Sequence, residues 1–214
     1  YANSGTGRTY GTATTYYNAI HFPSTSPDYN PLVVPSIPET EFKVTGSNVD
    51  DFTMACWVKL TTTGASEILC GQVEESGSKY SHYLYISAGN NLTHVRSING
   101  TAQDSYQQES GGTAYTSWNH VAVTRTGGNY ALYKNGTETS YTGPSSSSIA
   151  SSGSLFAQDI PFTIGRDADV GGMQGYIDQL ICIKGAALPA ASLVHLTGGA
   201  AANTTFGTLG GLIL

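Results

Sequence analysis

The chain has 214 residues, of which 39% are hydrophobic and only 11% charged, and its 14 Tyr outnumber 6 Phe and 2 Trp together. That is about half the usual charged share of a globular chain, yet the sequence is too aromatic and patterned for disorder and too poor in long helix formers for a helical bundle. Nine Lys and Arg against 15 Asp and Glu leave a net charge of -6 with no basic cluster, which excludes a surface that tracks phosphates; no apolar run is long enough for a membrane-spanning helix.

Residues 1–16 (YANSGTGRTYGTATTY) are small, polar and punctuated by Tyr, and read as an N-terminal arm. The sequence opens at Tyr1 without a signal-peptide pattern, so either an upstream segment was removed or the numbering starts inside a longer product. A short strand is expected over 17–22. Pro23, Pro27, Pro31, Pro35 and Pro38 then exclude helix and central strand, leaving an extended surface crossing. Strands follow over 52–60 (FTMACWVKL) and 67–73 (EILCGQV), expected to pair across the Thr/Gly/Ser turn between them. Further strands are expected over 80–87 and 92–98, joined by Ala-Gly-Asn-Asn. Residues 118–126 and 130–135 flank Gly127-Gly128-Asn129, a hairpin signal, and Asn135-Gly136 turns the chain again into 138–141.

Ser145 to Ser154 reads as a surface loop, and strands over 161–165 and 173–184 complete the core. Pro189 at the start of PAASLVHL suits one short helix. Residues 17–197 therefore read as one domain of roughly ten to twelve short strands, the pattern of a two-sheet sandwich. Residues 198–214 form a Gly/Ala/Thr-rich tail that ends in LGGLIL. Of the three cysteines, Cys56, Cys70 and Cys182, at least one must stay unpaired. Cys56 and Cys70 would face each other in a hairpin, so they read either as small buried hydrophobes or as a cross-strand disulfide. No second Cys or His stands at the spacing of a zinc site.

FTMACWVKL, WNHVAVTRTGGNYALYKNG, FTIGRD and GYIDQLICIKGAALPAASLVHL, with AIHFPSTSPDYNPLVV ahead of them, resemble the laminin-G-like branch of the concanavalin A-like jelly rolls over Ala19 to Leu196. The resemblance implies an all-β, two-sheet antiparallel jelly-roll sandwich, one sheet concave and one convex, with one short C-terminal helix. It leaves function open, because this fold serves lectins, glycosidases, adhesion modules and phage virion proteins alike.

A retaining glycosidase needs two carboxylates across the sugar ring, and enzymes of this fold carry them on one strand as Glu-x-Asp-x-x-Glu or a close variant. No such run occurs here; Glu39 and Glu41 precede the core, and Glu74 and Glu75, as neighbours on a strand, would point to opposite faces. Nor is there a Gly-x-Ser-x-Gly nucleophile motif. The expectation is therefore a protein that is not an enzyme. His120 is expected to pack in the core, and Asp178 to anchor a hairpin or strand end. Asp167 and Asp169 in GRDADVGG are spaced to reach one calcium ion or to cap their own turn; calcium is the one cofactor these residues suggest.

Tyr83, Tyr85, Tyr106 and Tyr115 are the candidate ligand-binding residues. Tyr among Ser, Gly and Asn gives rigid contact area with adaptable hydrogen bonds, and sugars stack on aromatic rings; the competing reading packs these rings in the sandwich. Leu209, Leu212, Ile213 and Leu214 are candidates for holding a neighbouring copy, since an apolar terminal segment can add a strand to another subunit. Two functions follow as expectations. The first is a non-enzymatic structural subunit of an extracellular assembly, a phage coat, decoration or fibre component or a filament. Its partners would be copies of itself or other subunits, with no nucleic acid and no membrane insertion. The second is a secreted glycan-binding adhesion module. Both place the chain outside the cell or on a virion.

Overall fold

Phe52–Leu60 alternates Phe, Met, Cys, Val and Leu with Thr, Ala, Trp and Lys, the period-two pattern that gives one strand two chemically different faces. The first set enters the main hydrophobic core, while Ala55 belongs to a separate cluster on the opposite face. The structure, a computed structural model, describes residues 8–10, 14–16, 19–22, 32–34, 51–74, 77–97, 100–101, 105–127, 129–142, 160–165, 172–197 and 212–213. In chain order the strands are β1 (Arg8–Tyr10), β2 (Thr14–Tyr16), β3 (Ile20–Phe22), β4 (Leu32–Val34), β5 (Phe52–Leu60), β6 (Glu67–Glu74), β7 (Lys79–Ile86), β8 (Leu92–Arg96), β9 (Ser105–Glu109), β10 (Asn119–Thr126), β11 (Asn129–Lys134), β12 (Thr137–Glu138), β13 (Tyr141–Thr142), β14 (Phe162–Ile164) and β15 (Gly175–Lys184). Helix α1 (Ala190–Thr197) and strand β16 (Leu212–Ile213) follow.

Among the described residues β1 and β2 pair with each other, and the other strands form two antiparallel sheets. Sheet I runs β12-β11-β10-β5-β15-β16, with β3 beside β16 on the far edge of β15; sheet II runs β13-β9-β8-β7-β6-β14-β4. Met54, Val58, Val121, Val123 and Ile177 from sheet I meet Leu69, Leu84, Ile86, Phe162 and Ile164 from sheet II in one buried core. This is the jelly-roll sandwich that the resemblance implies.

One pairing expectation is overturned. β5 lies between β10 and β15, and β6 between β7 and β14, so residues 61–66 cross from one sheet to the other. Both strands are buried along nearly their whole length, and placing them in opposite sheets lets their apolar faces close on each other. Cys56 and Cys70 accordingly face one core from opposite sheets and do not pair along a ladder, and both are free thiols.

Five strands lie where none was expected: β1 and β2 in the N-terminal arm, β4 and β9 in the sandwich, and β16 in the tail. β4, between Pro31 and Pro35, pairs with β14 alone; an edge strand tolerates prolines beside it because one row of its backbone groups needs no partner. β9 reads SYQQE and lacks apolar alternation, yet its Glu109 carboxylate is buried and accepts the Leu92 N–H at 3.2 Å.

The Asn-Gly turn stands as expected, with Asn135 and Gly136 both at positive φ (51° and 79°) between β11 and β12. The carbonyl of Pro189 accepts the Ser192 and Leu193 N–H groups at the start of α1. Leu188 and Leu193 then cover Ala55, Ala122, Ile181 and Ile183 on the outer face of sheet I. Burial of a leucine side chain contributes about 1.5–3 kcal/mol, which holds this short helix in place.

Candidate ligand-binding surfaces

Three of the four candidate tyrosines fall on sheet II, and its register brings them together. Gly71 is opposite Tyr83, Tyr83 opposite Val95, and Val95 opposite Tyr106. Tyr85 stands two pairs along, between Ile68 and Thr93. The Tyr83 and Tyr85 rings lie with centroids 5.4 Å apart. They join Ile68, Val73, Val95 and Tyr80 in a cluster of their own, apart from the main core. Gly71 makes this packing possible: a Cβ there would collide with the Cα and Cβ of Tyr83 and come within 2.5 Å of the His82 carbonyl oxygen.

The same cluster is closed over its centre. Tyr83 is 3% exposed and Val95 1%, so of Tyr80, Tyr83 and Tyr85 in this cluster it is Tyr80 and Tyr85, both half-buried, that offer surface to a partner. Tyr115 is a correction. It sits in the main core with no exposed surface, donates its hydroxyl to Glu109 Oε2 at 2.6 Å, and lies under the Lys134 ammonium at 3.9 Å. Its backbone carbonyl also accepts the Leu60 N–H. Burial, then the Glu109 carboxylate, push its phenol up from the ordinary value. Tyr115 ties a connection to the sandwich and offers nothing to a ligand.

The other candidates divide. Asp167, Asp169, Leu209 and Leu214 lie outside the described residues. Leu212 and Ile213 form β16, in register with Cys182 and Ile181 of the same chain. The carboxylates that the described core contains are engaged in the fold: Glu67 accepts the Gln174 N–H at 2.8 Å, and Glu109 binds Tyr115 and, at 3.6 Å, Lys134. Burial, partly offset by these hydrogen bonds to Gln174 and Thr62, holds the Glu67 carboxyl above the usual range.

An aromatic strip on the outer face of sheet I was not foreseen. Trp57 is in register with His120 on one side and Asp178 on the other. Lys59 is in register with Tyr176, and Tyr176 with His21. Trp118, just before β10, closes the group with its ring 6.1 Å from that of Tyr176. The His21 and Tyr176 rings stack at 4.5 Å with 14° between their planes, Trp57 meets His120 edge to face at 5.6 Å, and Lys59 Nζ lies 6.0 Å from the Tyr176 centroid.

Trp57, Lys59, Trp118, Tyr176, Asp178 and His21 are all half-buried, and only His120 is enclosed. His120 is thus enclosed, on the outer face of sheet I and not between the sheets, and Asp178 stands within β15, neither in a hairpin turn nor at a strand end. Directly after Asp178 the ladder slips at a bulge, where Gln179 adopts φ 48°. A side chain other than Gly in this region is strained, and bulges re-aim neighbouring side chains. One signal was legible: Trp57 and Lys59 occupy the outward parity of a strand whose inward parity is Met, Cys and Val. Their union with Tyr176 and His21 depends on register, which local pattern does not contain.

The fold is that of a concanavalin A-like jelly roll. The chain belongs to the concanavalin A-like lectin/glucanases superfamily, whose laminin-G-type family model matches residues 36–191. None of the curated proteins matches it. Among solved structures, the carbohydrate-binding module CBM40 of the Ruminococcus gnavus IT-sialidase is 16% identical, with 85% of this chain and 97% of that chain covered and a TM-score of 0.58. The heptameric SAP-like pentraxin of Limulus polyphemus is 15% identical, with 84% and 81% covered and a TM-score of 0.53. A putative carbohydrate-binding protein of Bacteroides ovatus is 16% identical over 71% of this chain, at a TM-score of 0.52; this chain spans 42% of that protein.

Proposed function

We propose that this chain is a non-catalytic glycan-binding module that works outside the cell, with the strip of Trp57, Tyr176, His21 and Trp118 as its platform. The strip carries the reading. Half-exposed aromatic faces suit the apolar C–H faces of a sugar ring, and Lys59, Asp178 and His21 beside them can hydrogen-bond its hydroxyls, the mixture of apolar wall and few polar groups that ligand sites use. Fold likeness agrees with it, since a CBM40 structure of the same sialidase holds α2,3-sialyllactose.

Glycan-array screening followed by calorimetry on the best ligand tests this reading. Trp57→Ala and Tyr176→Ala each weaken binding at least tenfold while Tyr85→Ala leaves it within about twofold, because truncating a buried aromatic at a binding surface costs about 2 kcal/mol or more. An array without a ligand, or binding that survives both strip variants, overturns it.

A further inference from the structure

Within the aromatic strip, Trp118 is the residue that no strand ladder holds. Trp57 and Lys59 lie in β5, Tyr176 and Asp178 in β15, His21 in β3 and His120 in β10, each fixed by strand pairing. Trp118 stands just ahead of β10, which begins at Asn119. Its indole N–H is enclosed and has no acceptor among the described residues, so no hydrogen bond of its own side chain orients the ring. The ring nevertheless lies beside that of Tyr176, 6.1 Å away.

A chain of hydrogen bonds that starts in the turn after β11 brackets this tryptophan. Asn135 accepts the His120 N–H on Oδ1 at 2.9 Å and donates from Nδ2 to Asn119 Oδ1 at 3.0 Å. Asn119 in turn donates from Nδ2 to the Ser117 carbonyl at 2.9 Å. Trp118 therefore sits between residues that are tied, directly or through Asn119, to one carboxamide. Each amide oxygen meets a donor and each amide nitrogen an acceptor, so neither carboxamide can flip without breaking the chain. The chain also reaches the other tryptophan, because the His120 ring meets Trp57 edge to face at 5.6 Å. The turn by itself does not call for this side chain: Asn135 has φ 51°, a conformation that Gly adopts at least cost and Asn tolerates. What Asn adds over Gly is the carboxamide.

We infer that Asn135 is the positioning residue of the strip. The inference rests on the reading of the strip as the glycan platform: the Asn135 carboxamide, relayed by Asn119, sets Trp118 and His120 in place before the ligand arrives. A platform ordered in advance spares the ligand the entropy of ordering it on binding.

Asn135→Gly separates the two roles of this residue, because Gly keeps the positive φ of the turn and removes both side-chain bonds. The test uses the full chain labelled with fluorotryptophan, whose two tryptophans give two fluorine NMR resonances, assigned with Trp118→Phe. In Asn135→Gly and in Asn119→Ala the Trp118 resonance moves or broadens. Calorimetry on the glycan found by array screening shows binding weakened about three- to tenfold in each variant, and the double variant is no weaker than the weaker single one, as expected of one shared network. Should Asn135→Gly fail to fold, Asn119→Ala supplies the same two readouts. A Trp118 resonance that stays in place, or an affinity equal to the parent's, overturns the inference. Binding lost in Trp57→Ala and kept in Asn135→Gly overturns it alone, whereas an array without a ligand, or full binding by Trp57→Ala, overturns the platform reading and the inference with it.

Discussion

His82 and His94 make the stability of this sandwich fall in acid. They lie opposite neighbouring residues of β7 and β8 and face the core between Phe52 and Tyr130. The His82 and His94 centroids are 6.2 Å apart, Phe52 is 5.7 Å from His82, and His94 stacks on Tyr130 at 5.3 Å. Over the same Tyr130 ring lie the guanidinium carbons of Arg96 and Arg125, at 5.3 Å and 5.6 Å. Burial holds the His82 imidazole down to about 4. His94 is pushed well below its ordinary value, first by burial and then by His82 and Arg96.

The sign follows from linkage. An unfolded chain takes up a proton on His82 near pH 6.5, whereas the folded chain does so only near 4. Between those values the unfolded state binds more protons, so stability drops as pH falls. For His82 alone the loss from pH 7.5 to pH 5 is roughly 2 kcal/mol, and His94 adds to it in the same direction. Urea unfolding followed by fluorescence of Trp57 and Trp118, at pH 7.5, 6 and 5, measures the slope. His82→Leu should remove about 2 kcal/mol of the difference between pH 7.5 and 5. If the variant and the parent lose stability in parallel over that range, the assignment of the acid sensitivity to this histidine is refuted.

Glu67 works in the opposite direction. Its folded carboxyl is raised above 4.5, so the folded state gains protons first as pH falls, and Glu67→Gln should steepen the acid loss in the same urea series. Gly71→Ala drives a Cβ into the backbone of Tyr83 from a φ of 147°; it should lower stability by about 2 kcal/mol or more, and an unchanged urea midpoint would show that β7 can yield there. Tyr115→Phe removes the 2.6 Å hydrogen bond to the buried Glu109 and should cost about 1–3 kcal/mol, read as a shift in the urea midpoint with the slope of the transition unchanged.

Much of this protein was legible one residue at a time. The period-two alternation of FTMACWVKL marks a strand with an inner and an outer face, Asn135-Gly136 marks a tight turn because both positions need positive φ, and Pro189 marks the start of the helix. These signals are local, set by sterics and by which side of a strand is apolar. Tertiary structure alone decided the partners. β5 and β6 are consecutive and apolar, and a local reading pairs them; closing two sheets on one core sends them to opposite sheets. Tyr115 lies between strands, where a surface position is the local expectation, and the Glu109 carboxylate together with Lys134 draws it into the core. The strip joins Trp57, Tyr176 and His21 from three strands distant in sequence. Such neighbours are chosen by the free energy of burying whole faces against each other, a quantity that belongs to the assembled sandwich and to no single segment of the chain.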